Sequence, residues 1–147
     1  MRHVFVDTFY WIARINPRDQ WHKKAREINS TLKDAHLITS DAVLIELLNY
    51  FSNYGPEMRK RVALIARQIV EESRVKDSRI EIFGSFIAPW LPTPSAFEEG
   101  LDLFESRLDK GYSMTDCLSM SLMRRLDVTE VLTHDHHFTQ EGFVTLL

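Results

Sequence analysis

The sequence predicts an α/β fold, a short parallel sheet covered by helices on both faces, and three observations lead there. Short β-branched and apolar runs alternate with segments of helical spacing. The first run, Val4-Phe5-Val6, has no polar alternation and suits a buried strand. Two runs lead into carboxylates, Asp7 directly and Asp135 two positions after "VLT", and open sheets of this kind bind ligands beyond the carboxyl ends of their strands.

The elements follow in order. After Asp7, residues 9–34 show helical spacing broken at "NPRD", where Asn16 and Pro17 separate two helices. "HLITS" (36–40) is a short strand. Ser40 caps the next helix, Asp41 sits at its positive end, and "AVLIELLNYF" carries it on, with Val43, Leu44, Leu47, Leu48 and Phe51 on one face. Gly55-Pro56 breaks the chain before a helix over 57–73, with Val62, Ile65, Ala66 and Ile69 on one side. In 78–93, "RIEIF" and "FIAPWLP" both have strand character while Gly84, Pro89 and Pro92 favour bends, so one strand is expected. Thr93-Pro94 starts a helix through "SAFEEGLDLFESRL", and Gly111 turns the chain into another over "SMTDCLSMSLMRRL". "EVLT" (130–133) is a strand and "FVTLL" closes the chain.

The 147 residues are 44% apolar and 27% charged, which suits one domain spanning 1–147 and disfavours a disordered or fibrous chain. No apolar run approaches the ~18 residues of a membrane helix, and the start lacks the pattern of a signal peptide. The expected location is the cytoplasm, and the single Cys117 suits a reducing compartment. The net charge of −3 gives no overall basic footprint for nucleic acid. Basic residues gather only locally, in "HKKAR", "RKR" and Arg124-Arg125, either as solvated helix faces or as phosphate contacts.

Two further acids belong with Asp7 and Asp135. Glu46 lies at the edge of its helix's apolar face, beside Tyr50, and Asp116 lies in the first turn of its own helix. Each has a bland alternative: Asp7 and Asp135 as turn or capping residues, Glu46 as a flank residue, Asp116 as the acid of a capping box in "SMTD". One shared reason accounts for all four. Mg²⁺ or Mn²⁺ prefers oxygen ligands and offsets repulsion between clustered carboxylates, and such a site activates water against a phosphodiester. The histidines of "THDHHF" raise zinc, but adjacent histidines lack the spacing of a zinc site; His136 and His137 are expected in a surface loop, within reach of substrate phosphate.

"VFVDTFYWIARINPRDQWHKKA", "TSDAVLIELLNYF" and "DKGYSMTDCLSMSLMRRLDVTEVLTHDHHFTQEGF" together resemble the motifs of PIN-domain ribonucleases, especially the VapC-like toxins of bacterial toxin-antitoxin pairs. The resemblance implies a PIN-like three-layer sandwich and a metal-dependent endoribonuclease acting on structured RNA of the tRNA or rRNA class. Its Mg²⁺ or Mn²⁺ would be held by Asp7, Glu46, Asp116 and Asp135. It also implies a homodimer and a small antitoxin partner, with Thr8 and Thr115 supporting the acids. Lys110 and Arg124 are candidate phosphate contacts. Phe9 stands where many relatives have serine, and the middle region around 76–92 does not follow the pattern. The competing functions are an RNA-processing nuclease without a toxin role and a non-catalytic RNA-binding or interaction module.

Overall fold

The computed structural model describes residues 1–84 and 96–147. The chain runs β1 (Arg2–Val6), α1 (Thr8–Ile15), α2 (His22–Thr31), β2 (Ala35–Ser40), α3 (Asp41–Tyr50), α4 (Pro56–Ser73) and β3 (Ile80–Phe83). It continues α5 (Ala96–Ser106), α6 (Met114–Arg125), β4 (Glu130–Leu132), α7 (His136–Gln140) and β5 (Val144–Thr145). The strands form one sheet in the order β3-β2-β1-β4-β5, and every pairing is parallel. The expected α/β sheet is therefore present, with the first strand at its centre.

Burial explains the composition of β1. Val4, Phe5 and Val6 are fully buried because both sheet faces are covered. Their side chains alternate across the sheet: Phe5 joins Ile38, Val131 and the α6 residues Cys117, Met120 and Met123, while Val4 and Val6 pack with Tyr10, Ala13 and Ala25 of α1 and α2. On the first of these faces α5 approaches α6 closely. A Cβ on Gly100 would come within 2.9 Å of Leu118, so the glycine permits the contact. α3 and α4 form the expected helix pair, with Leu47, Phe51 and Val62 in one cluster.

The single strand expected in 78–93 is β3, from "RIEIF"; "FIAPWLP" and the Thr93-Pro94 helix start lie outside the described residues. Leu48, placed by periodicity on the buried face of α3, is 37% exposed because it borders the groove between α3 and α4. His136 and His137 begin the helix α7 instead of lying in a loop, since Asp135 caps it by accepting the His137 amide at 2.9 Å. Among the described residues, no helix is long and apolar enough to cross a membrane.

Candidate active site

The end of β1 is fixed from both sides. The Asp7 amide donates to the Leu132 carbonyl of β4 at 3.4 Å, and the Thr39 hydroxyl of β2 donates to the Val6 carbonyl at 2.9 Å. Asp7 is thereby held at the carboxyl end of the central strand, 3% exposed. α3 and α6 bring Glu46 and Asp116 to the same place, and the segment after β4 brings Asp135. All four acids line one cavity of about 270 Å³, together with Thr8, Phe9, Tyr50, Gly111, Ser113 and His137.

Hydroxyl groups fix the carboxylates. Thr8 donates to Glu46 Oε2 at 2.5 Å, and the Thr115 side chain also favours the ionised form of Glu46. Thr133, fully buried, donates to Asp7 Oδ2 at 2.8 Å while its oxygen accepts the Asp135 amide at 3.1 Å. Thr133 thus couples two of the acids, a role that went unassigned in the sequence. The signal was the spacing Thr133-x-Asp135 at the end of a buried strand, where a hydroxyl must find a partner.

Asp116 forms the capping box anticipated for "SMTD": its Oδ2 accepts the Ser113 amide at 2.8 Å, and its own amide donates to Ser113 Oγ at 3.1 Å. The capping role does not withdraw it from the cavity. His137 Nδ1 lies 3.4 Å from Asp116 Oδ2 and 3.4 Å from Asp135 Oδ2, and the Tyr112 ring stands 5.0 Å from the His137 ring.

Burial pushes the Asp7 carboxyl up to about 7; the Asp116 and Glu46 charges add to the rise, while hydrogen bonds from Thr133 and Thr8 oppose it. Burial also raises Glu46 and Asp116, and in both cases the charge of another acid of the group adds to it. No arginine or lysine lines this cavity among the described residues. An all-oxygen donor set with this much mutual repulsion fits a hard divalent cation, which would relieve it. A tighter group, Asp135, His136 and His137, has donor atoms within 4.8 Å of one another, and two of its members belong to the same cavity.

The candidate phosphate contacts are more dispersed. Arg124 pairs with Glu141 and covers the Phe143 ring at 5.6 Å, and Lys110 faces Asp109 at 3.4 Å. Lys110 adjoins Gly111 at the cavity, His137 lines it, and His136 is exposed beside it. None of the basic residues in the runs on α2 and α4 lines the cavity; Lys23, Arg26, Arg59, Lys60 and Arg61 are exposed, and Lys24 lies over the Trp21 ring at 5.4 Å.

Similar proteins agree with this architecture. A crystal structure of Mycobacterium tuberculosis VapC20, a Sarcin-Ricin loop cleaving toxin, superposes with a TM-score of 0.77 at 23% identity, covering 96% of both chains. VapBC2 from Rickettsia felis, bound to a DNA fragment from its promoter, gives 0.64 at 17% identity over 97% of this chain and 96% of that one. FitAcB from Neisseria gonorrhoeae gives 0.61 at 14% identity over 97% and 95%. No curated protein matches by sequence. The model of the PIN domain matches residues 4–143, which hold every acid of the cavity, and the chain belongs to the PIN domain family.

Proposed function

We propose that this chain is a divalent-cation-dependent endoribonuclease acting on structured RNA of the tRNA or rRNA class, and that it is the toxin of a toxin-antitoxin pair. The observation that carries the nuclease reading is the gathering of Asp7, Glu46, Asp116 and Asp135 around one cavity at the carboxyl end of a parallel sheet. Those side chains would hold Mg²⁺ or Mn²⁺. When bound, such a cation polarises a phosphodiester and lowers the pKa of a coordinated water. The chain's own part is positional: Thr8 and Thr115 hold Glu46, Thr133 holds Asp7, and His137 stands against Asp116 and Asp135. Lys110 and Arg124, outside the cavity, take outer phosphates, with Arg124 shared by Glu141. The 147 residues act as one nuclease domain in the cytoplasm.

The similarity to VapC20 supports cleavage in an RNA loop, and the similarity to VapBC2 supports a protein partner. Two surfaces suit the partners. The groove between α3 and α4, lined by Leu44, Ile45, Leu48, Ala66 and Val70 in about 480 Å³, takes an apolar antitoxin segment. On α5, the exposed Phe97, Leu101 and Phe104 recur at helical spacing and form the homodimer face.

The test is to incubate the purified chain with total RNA, with Mg²⁺ and with EDTA, and to map the product ends. Discrete Mg²⁺-dependent cleavage, lost in Asp7→Asn, is expected; no cleavage by a folded protein would defeat the enzyme reading. Expression should arrest growth and Asp7→Ala should relieve the arrest. Cleavage without arrest would assign the chain to RNA processing instead.

A further inference from the structure

One wall of the acidic cavity is aromatic, and its rings are open to solvent. Phe9 and Tyr50 both line the cavity, yet they are 36% and 42% exposed. Glu46 and Tyr50 are one helical turn apart on α3, so the same face carries both a carboxylate and a ring. Neither ring is loose. Tyr50 stacks on Tyr54 with centroids 5.5 Å apart at 28°, and their hydroxyls meet at 3.2 Å. Phe9 rests on the His134 ring at 4.4 Å, and His134 is stacked on Trp21 at 4.9 Å and 11°. Solvent-exposed aromatics backed by further rings are preorganised surfaces for a flat partner.

The electrostatics say which partner. The cavity carries four acids and no lysine or arginine among the described residues, so no side-chain cation there adds to the hold that a bound divalent cation would have on phosphate. Base stacking is a separate term that the two rings can supply, and it is indifferent to charge. We propose, resting on the nuclease reading above, that Phe9 and Tyr50 stack an unpaired nucleobase next to the phosphate presented to the acids. Tyr54, His134 and Trp21 hold the two rings in place. The wall thus selects nucleotides that are single-stranded or turned out of a loop, because a base stacked within a duplex has no free face to offer.

The test uses an unstructured oligoribonucleotide carrying one fluorescent purine and the same strand with an abasic site at that position. Binding is measured in an Asp116→Asn background, which prevents cleavage and is common to every strand and variant compared. The purine strand should bind at least about tenfold tighter than the abasic one, with quenched fluorescence. Phe9→Leu and Tyr50→Leu should each shrink that ratio several-fold, whereas Tyr50→Phe, which keeps the ring, should preserve it. Leucine variants that weaken both strands equally, or neither, would overturn the proposal; in the latter case the rings would face a protein partner instead. The two readings fail separately. Wild-type cleavage with no base preference would leave the nuclease standing and remove the wall, while base-dependent quenching without cleavage would do the reverse.

Discussion

Asp7 and Glu141 are both nearly buried carboxylates, and the chain surrounds them with opposite chemistry. The Glu141 side chain is 5% exposed and receives Arg107 Nε at 2.7 Å, the Tyr112 hydroxyl at 3.1 Å and the Arg124 guanidinium. Burial pushes its pKa up, but the hydrogen bonds from Arg107, Arg124 and Tyr112 outweigh that and hold it below the ordinary value. Asp7 receives only neutral donors and faces other acids, so burial wins and its carboxyl rises to about 7. An ion pair that ties α6 to the residues just after α5 and α7 is satisfied within the fold. A carboxylate left short of positive charge points to a cation from outside.

The largest expected effect would break the comparison on the Asp7 side. Asp7→Asn keeps an acceptor for Thr133 and should lower Mg²⁺-dependent cleavage by at least about 100-fold, measured in single-turnover assays. A smaller loss would mean that Asp7 is not among the groups that hold the cation. Next comes Glu141→Gln, which leaves two guanidinium groups without their counter-ion and should cost about 2 kcal/mol in urea denaturation. Cleavage per folded molecule should survive it, and a selective loss of cleavage would dissolve the distinction between the two regions.

The two acids should also give the fold opposite pH dependences. In metal-free protein, Asp7 takes its proton more readily when folded than when unfolded. Its contribution is intact below its ordinary pKa of 3.8 and is lost as pH rises toward about 7. Glu141 has its pKa lowered, so its contribution is present above its ordinary 4.5 and is lost as pH falls. Melts in EDTA should therefore show Asp7→Asn more stable than the parent at about pH 8, by about 1 kcal/mol or more, with the gain shrinking toward about pH 4. A gain that did not vary with pH would contradict the assigned charge state. The smallest effect concerns Asp116, which serves both helix and cavity. Asp116→Ala should cost about 1 kcal/mol from the lost cap, whereas Asp116→Asn retains the cap acceptor, and both should abolish stabilisation by Mg²⁺.

The four acids were legible because each sits at a junction that the sequence marks: strand ends for Asp7 and Asp135, a helix start for Asp116 and the edge of an apolar stripe for Glu46. Periodicity could not show that the Asp116 cap and its place in the cavity coexist, since that depends on where α6 docks. Thr133 escaped because a buried threonine at a strand end reads as ordinary β composition until its partner, 126 positions away, is in place. Glu141 escaped for a similar reason. Its two arginines come from separate elements, and nothing local announces them. Leu48 shows the reverse error: helical spacing marks an apolar face but not which part of it another element covers.

β1 occupies the centre of the sheet, yet one of its two neighbours is β4, from the far end of the chain. During synthesis on the ribosome, the first strand emerges long before the strand that completes its pairing, and Asp7 has no Thr133 to meet until then. The cavity of four acids is therefore assembled late, once β4 has emerged and Thr133 can bridge Asp7 and Asp135.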